Sequence, residues 1–445
     1  MTGTKDSSQA SQEKTTVGNY FVANYPPFSF WKPEKRSEAL EALERTPEAG
    51  TPSGLYVHVP FCRRRCHFCY FRVYTGRDAK PERVSRYVSS ILRELELYSR
   101  KPLFEGRRPS YVYFGGGTPS FLSPDALTEL FDGMKNILSW DEAEEITFEC
   151  EPGTLNKEKL DTLRGLGVTR LSLGVEHFDD EVLKANGRAH VSKEIHTAYE
   201  YARSIGFRQI NIDLIAGMLN DTQQKWEECV RKAVELKPEC LTIYQMEIPF
   251  NTTIYQGMKE RGETAAPVAD WPMKRAWVDY AFREFEKAGY TVTSATTVVK
   301  DPKAYQFLYR DYLWQGADMI SLGVASFGHF SGTHYQNEKD FEPYVERVEQ
   351  GELPIHRALA MSGEEKLIRE LILQMKLGRL ELSYFRDKFA TDIVERFSEP
   401  FEKLQEAGHL TIEKGQIVLT RQSLLRVDEL LPAFFLPQHK SARYT

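Results

Sequence analysis

From residue 55 onward the chain alternates short apolar runs with amphipathic stretches. The runs at 55–59, 111–114, 146–150, 171–175, 210–214 and 241–244 have the length and the β-branched and aromatic content of strands. Between them, near 82–99, 124–136, 157–165, 192–205 and 222–236, apolar residues recur at helical spacing, and a further helix is predicted at about 270–288. This alternation predicts a parallel α/β sheet. Six consecutive units predict a partial (β/α)6 barrel, a TIM-like relative.

Side chains on a strand alternate between its two faces. In the first run Tyr56 and His58 share one face against Leu55, Val57 and Val59; in the third, Thr147 and Glu149 oppose Ile146, Phe148 and Cys150. Ser172, Gly174 and Glu176 oppose Leu171, Leu173 and Val175, while Asn211 and Asp213 oppose Ile210, Ile212 and Leu214. A barrel filled for stability alone is lined by Val, Ile and Leu. Burying Glu149, Glu176 and Asp213 without partners costs several kcal/mol each. The polar face therefore reads as a binding site.

Four regions are expected. Residues 1–50 form an N-terminal extension, disordered to about residue 16 and then aromatic and Pro-rich at 20–31, too apolar to be left in water. Residues 51–300 form the barrel, 301–360 a connecting segment, and 361–445 a C-terminal helical, winged-helix-like domain. In the last, Leu367, Ile368, Leu371, Ile372 and Met375 keep helical spacing, 393–404 predicts a second helix, and a hairpin turns at Lys414-Gly415.

Composition narrows the class. A net charge of −6 and a pI near 6.0 do not indicate a nucleic-acid partner. No run approaches the length of a membrane span, and the polar first fifteen residues are no secretory signal. Cys150, Cys229 and Cys240 are scattered, so no disulfide framework is expected and a reducing cytoplasm is the expected home.

The candidate chemistry lies just past the first strand. Cys62, Cys66 and Cys69 fall within Phe61-Cys-Arg-Arg-Arg-Cys-His-Phe-Cys-Tyr-Phe71. Three thiolates suit three corners of a [4Fe–4S] cube with one iron left open. They also suit a structural zinc completed by His67 or a distant thiol, although no second knuckle recurs. Phe114-Gly-Gly-Gly-Thr-Pro119 follows the second strand and bares backbone amides and carbonyls to a ligand, or simply makes a tight turn.

Tyr56-Val-His-Val-Pro-Phe-Cys62, the cysteine motif, the glycine loop through Leu122, Leu171-Ser-Leu-Gly-Val-Glu-His-Phe178 and Asn211-Ile-Asp-Leu-Ile-Ala-Gly217 closely resemble the oxygen-independent coproporphyrinogen III oxidase-like family of radical SAM proteins. That family includes the dehydrogenase proper, HemW-type heme chaperones and a group of C-methylases and cyclopropanases. The resemblance implies that Cys62, Cys66 and Cys69 ligate a [4Fe–4S] cluster and that S-adenosylmethionine (SAM) binds its open iron. It implies that Phe68 lies near the adenine and Tyr56 beside both groups. Gly115, Gly116, Gly117 and Thr118 would receive the SAM amino group, and Glu149, Arg188 and Asp213 its carboxylate and ribose. Tyr56, His58 and Glu176 are the candidate catalytic residues.

Three departures from the family pattern bear on the reaction. Phe71 stands where the dehydrogenase has a further cysteine, Glu176 where relatives commonly have Gln, and Glu247 where a second SAM would lie. These lead to an expectation of carbon methylation or methylene transfer with two SAM molecules. The alternatives are porphyrinogen oxidation and heme transfer by a chaperone. The expected partners are a tetrapyrrole or other organic acceptor and a low-potential donor such as flavodoxin or ferredoxin, docked on or simply passing the solvated run Arg63-Arg64-Arg65. His329 and His334 are candidates for a heme or substrate group, or a structural pair.

Overall fold

Each of the six apolar runs becomes a strand, one or two residues longer than its pattern at an end. They are β1 Ser53–Val59, β2 Tyr111–Gly116, β3 Glu145–Cys150, β4 Arg170–Glu176, β5 Gln209–Ala216 and β6 Cys240–Gln245. The computed structural model describes residues 14–18 and 20–440. The expected disordered start lies outside the described residues up to position 13, whereas Thr15 is buried and Thr16 bridges to Ala265. Among the described residues no helix is long and apolar enough to cross a membrane.

The predicted helices are present as Pro81–Ser99, Pro124–Ile137, Lys157–Gly165, Ser192–Ser204, Gln223–Leu236 and Trp271–Lys287. Local sequence explains four of their starts. Ser123, Asn156, Thr222 and Asp270 accept the N–H of Ala126, Lys159, Lys225 and Met273, each satisfying an otherwise orphaned donor.

β1 to β6 pair in chain order, all parallel. Residues 290–360, for which the pattern gave no strands, extend this sheet on both sides. β8 Thr297–Val299 joins β6 antiparallel and β7 Thr291–Val292 pairs antiparallel with β8; β9 Asp318–Leu322 lies parallel to β1; β10 Phe327–Phe330, β11 Thr333–Asn337 and β12 Ile355–Ala360 continue antiparallel. The result is one twelve-stranded sheet in the order β12-β11-β10-β9-β1-β2-β3-β4-β5-β6-β8-β7, with β12 and β7 as its outer strands and Lys32 of the N-terminal segment bridged to Ala358 on β12. The α/β reading with a partial barrel holds, inside a larger mixed sheet. β9 and β11 are buried at every position, so they show no alternation to read.

The helix Leu308–Trp314 closes the end of the lumen where the strands begin. Its first amides, Leu308 and Tyr309, donate to the Glu145 carboxylate at 2.9 and 3.4 Å. Tyr309 stacks on Tyr113 at 4.3 Å between ring centres, and Phe307 lies 4.1 Å from the Arg170 guanidinium. The opposite end, where the strands finish, stays open. Ligands of parallel α/β sheets bind at that end.

A second apolar cluster gathers Leu367, Ile368, Leu371, Ile372 and Met375 with Phe401 and Phe434, and takes in Val22 and Tyr25 from the N-terminal segment. Its small sheet runs β13 Arg379–Glu381, β15 Gln416–Leu419, β14 Leu410–Glu413, with the turn at Lys414 (φ 50°) and Gly415 (φ 81°). The expected helix at 393–404 is broken into Ile393–Arg396 and Ser398–Glu406. Pro400 has no N–H to offer the Arg396 carbonyl, so the helix stops at Phe397 and restarts.

Candidate functional site

The cysteine loop leaves β1 through Pro60 and the buried Phe61. It is pinned by Cys62 N to Tyr74 O at 3.0 Å, Tyr74 N to Pro60 O at 2.8 Å and Cys69 N to Cys66 O at 3.2 Å. Two of the three arginines inside it are structural. Arg63 donates to Gly153 O, Ala189 O and Glu151, and Arg65 to the Cys69 and Asn251 carbonyls. His67 turns away, with Nδ1 2.9 Å from the Ala185 carbonyl. All three arginines of the run are nevertheless exposed, so Arg63 and Arg65 brace the loop while still meeting solvent.

Cys62, Cys66 and Cys69 all line one cavity. Thr118 Oγ1 donates to Cys62 Sγ and Arg188 Nη1 to Cys66 Sγ, each at 3.2 Å. Burial pushes the Cys62 thiol up to about 12 and the Cys69 thiol up to about 11; a bound metal's charge reverses that preference. Among the described residues no three His, Cys, Asp or Glu side chains converge on a single ion. Three thiols with hydrogen-bond donors to two sulfurs, and no fourth ligand from His67, fit a [4Fe–4S] cluster with one open iron.

The glycine loop is packed against this pocket. Gly117 N donates to Val59 O at 2.8 Å, and a Cβ there would lie 3.0 Å from Cys62 Sγ. Gly116 has φ 112°, and a Cβ on it would meet the His58 ring at 2.6 Å. Gly116 N and Tyr113 OH donate to the two oxygens of Glu149 at 3.1 and 2.6 Å. Gly116, Gly117 and Thr118 face the cavity, whereas Gly115 stays behind its wall against Tyr113 and Glu149.

His58 also stays behind the wall. It is 5% exposed, its Nδ1 lies 3.3 Å from Tyr56 OH, and burial lowers it to about 4, so it is neutral. The period-2 argument placed it on the lumen side correctly, but the glycine loop covers it. Tyr56 and Phe68 reach the cavity.

Three carboxylates line the lumen: Glu149, Glu176 and Asp213. Burial raises Glu149 and Glu176 each to about 7 and raises Asp213 as well. Glu176 sits at φ 64° beside a register shift between β4 and β5, a strained position for a residue with a Cβ. That bend turns its carboxylate to Arg188, 3.6 Å away. Asp213 accepts from Ser172 Oγ and Asn211 Nδ2, both at 2.9 Å. Arg170, 2% exposed, faces the same space with Nε and Nη1 lacking hydrogen-bond partners. It lies two residues before Ser172, so the same alternation signals it, and sequence reasoning passed over it.

The cavity has a volume of about 1080 Å³ and runs well beyond the cysteines. Tyr244, 41% exposed, faces it, as do Trp271, Arg275 and residues 424–429 of the C-terminal module. That last contribution has no signal in the sequence, because Leu-Leu-Arg-Val-Asp-Glu reads as an ordinary helix turn. Tyr20 and Phe21 close one side. This strap is held by Glu247 Oε1, which accepts Tyr20 N at 3.1 Å, and by Asp428 Oδ1, which accepts Val22 N at 2.7 Å. Lys376 binds Asp428 at 2.6 Å and lies 3.4 Å from the centre of the Phe21 ring. Glu247 reaches the cavity already engaged with the strap.

His329 and His334 are not part of the cavity. They face each other across β10 and β11 with Nδ1 atoms 3.1 Å apart, and His334 Nε2 meets the Tyr25 carbonyl at 3.0 Å. Burial holds both well below the usual imidazole range, so they are a neutral structural pair.

An α/β partial barrel with three cysteines at the finishing end of its first strand defines a radical SAM protein, and the Radical SAM superfamily model matches residues 56–233. The oxygen-independent coproporphyrinogen III oxidase of Helicobacter pylori strain J99 is 31% identical over 401 residues, 86% of each chain. The chain belongs to the oxygen-independent coproporphyrinogen III oxidase-like family of radical SAM proteins. The heme chaperone HemW of Bacillus subtilis is 26% identical over 85% of this chain and 98% of its own. The solved structure of the Escherichia coli HemN coproporphyrinogen III oxidase superposes with a TM-score of 0.79 at 24% identity, covering 95% of this chain and 99% of that one. The family carries a [4Fe–4S] cluster and SAM, so this chain is a radical SAM enzyme by descent. None of these full-length relatives is named for methyl transfer, so the expected carbon methylation is without support and gives way to the tetrapyrrole alternative.

Proposed function

We propose that this protein oxidises a porphyrinogen-type tetrapyrrole by hydrogen-atom abstraction, the substrate radical then giving up its one remaining electron to a one-electron acceptor. The observation that carries the reading is the cavity: at about 1080 Å³ it slightly exceeds the upper range of small-molecule sites and leaves room for a large ring beside SAM. The names of the H. pylori and E. coli relatives support the substrate class.

When bound, the cluster and SAM supply a 5′-deoxyadenosyl radical. Cys62, Cys66 and Cys69 would hold the cluster, with Thr118 and Arg188 donating to two of the sulfurs. The backbone of Gly116 and Gly117, with Thr118, would take the SAM amino group. Arg188, Glu149 and Asp213 would orient its carboxylate and ribose, and Phe68 its adenine. Glu176 would add a lumen carboxylate whose proton occupancy changes near neutrality, and Tyr56 would border the reacting space. Tyr20, Phe21 and the helix Leu308–Trp314 would exclude water from two sides. A reducing compartment and a flavodoxin or ferredoxin as electron donor complete the proposal.

Anaerobic turnover of the reconstituted protein with SAM, reductant and coproporphyrinogen III tests it. The expected result is an oxidised tetrapyrrole with 5′-deoxyadenosine; S-adenosylhomocysteine as the main SAM product would return methyl transfer. Phe71, in place of a further cysteine, favours the heme chaperone as the second reading. Heme binding without porphyrinogen turnover would select it.

A further inference from the structure

Large aromatic side chains left open to water are concentrated in one place. Among the described residues seven Phe and Tyr side chains are exposed, and five of them line the cavity: Tyr20, Phe21, Tyr70, Phe71 and Tyr244. Single exposed aromatics scattered over a surface are ordinary, whereas a set gathered in a concave site marks a ligand. The five come from three separate parts of the chain. Tyr20 and Phe21 belong to the strap, Tyr70 and Phe71 directly follow Cys69, and Tyr244 stands near the finishing end of β6.

Their ring faces are only partly used within the protein. Tyr70 and Phe71 stack on each other at 4.4 Å between ring centres, which covers one face of each and leaves the other. The His58 ring lies 6.5 Å from Phe71 at 56°, too far and too tilted to cover a face. Tyr20 meets Trp271 edge-on at 4.9 Å, and Phe21 takes the Lys376 ammonium. Among the described residues Tyr244 makes no ring contact and its hydroxyl no hydrogen bond, so it projects into the cavity unsupported. Aromatic rings pair through offset-stacked and edge-on contacts. One adenine covers one such face; faces offered from three parts of the chain match a wider ring system.

We infer that Tyr70, Phe71 and Tyr244 form the stacking surface on which the substrate's pyrrole rings rest, with Tyr20 and Phe21 completing the frame from the strap. The inference rests on the tetrapyrrole reading and deepens it, because it names the contacts that hold the ring beside the cysteine loop. It also gives Phe71 a role of its own, since it supplies a ring face where the dehydrogenase has a thiol. No proton or covalent bond changes hands.

The test is anaerobic absorbance titration of the cluster-reconstituted protein with coproporphyrin III, without reductant, in the absence and presence of SAM. Wild type is expected to bind it with a shifted Soret band and to keep that affinity when SAM is present. Phe71→Leu and Tyr244→Leu keep an apolar side chain and lose the ring. Each is expected to weaken binding roughly three- to tenfold, the worth of an aromatic pair, and to move the band back toward its free position. Phe71→Tyr and Tyr244→Phe keep the ring face and are expected to bind as wild type does. That split separates stacking from a structural role, and the iron content of each variant shows whether the cluster is intact. Equal affinities in the leucine and aromatic variants, or weakening only where iron is lost, would overturn the stacking surface and leave the tetrapyrrole reading standing. Displacement of the porphyrin by SAM would do the same, because it would give these faces to the adenine. No binding by wild type would remove the tetrapyrrole reading and the stacking surface with it.

Discussion

At the scale of single residues, burial sets the chemistry of this protein more than sequence neighbours do. Glu94 shows it away from the cavity. It sits fully buried on the helix Pro81–Ser99 and accepts from Gly323 N, Asn337 Nδ2 and Tyr344 OH at 2.8, 2.7 and 2.6 Å. Burial outweighs these donors and raises its carboxyl from 4.5 to about 7. The folded state therefore binds a proton that the unfolded state releases between those values, and stability falls as pH rises through that window. Gln is neutral at every pH. Denaturant titrations of wild type and Glu94→Gln at pH 4.5 and pH 8 should diverge, wild type losing about 3 kcal/mol relative to the variant. Parallel curves would mean that Glu94 titrates normally. Residue identity was the most legible level in the site: alternation on β1, β3, β4 and β5 placed Tyr56, Glu149, Glu176 and Asp213 on one surface, where the cavity now finds them. It could not show that the glycine loop covers His58, because that depends on a close approach between two loops.

At the scale of elements, the cysteine loop after β1 and the glycine loop after β2 are one unit. Gly117 approaches Val59, Pro60 and Cys62 so closely that an added methyl finds 2.9–3.0 Å to backbone and sulfur. Gly117→Ala is expected to cost about 1–3 kcal/mol through overpacking and, more tellingly, to lower iron incorporation while the far-UV spectrum stays wild type. Full iron loading in that variant would separate the two loops. The helices and parallel strands were legible because their faces differ in polarity. β9 to β12 were not, since β9 and β11 are buried on both sides and carry Asp318, Ser321, His334 and Asn337 among their apolar residues. The break at Phe397 was legible in principle from Pro400 and went unread.

At the scale of the whole molecule, three distant parts of the chain meet over one cavity: the sheet, the strap at residues 20–22 and the turn at residues 424–429. The strap joins them through Glu247 on one side and Asp428 on the other. Deleting residues 1–22 should leave SAM cleavage running without substrate and uncouple it from porphyrinogen oxidation, read as an excess of 5′-deoxyadenosine over product. Unchanged coupling would make the strap a packing element only. Long-range meetings of this kind have no local signature in sequence, and the aromatic content of 20–31 signalled only that it must be covered. The central claim is that a substrate hydrogen atom passes to the SAM-derived adenosyl group inside this cavity. Mass spectrometry of 5′-deoxyadenosine formed anaerobically with coproporphyrinogen III deuterated on its side chains tests it most directly. Deuterium in the deoxyadenosine, in step with tetrapyrrole oxidation, is the predicted result. Unlabelled deoxyadenosine alongside unchanged porphyrinogen would contradict it.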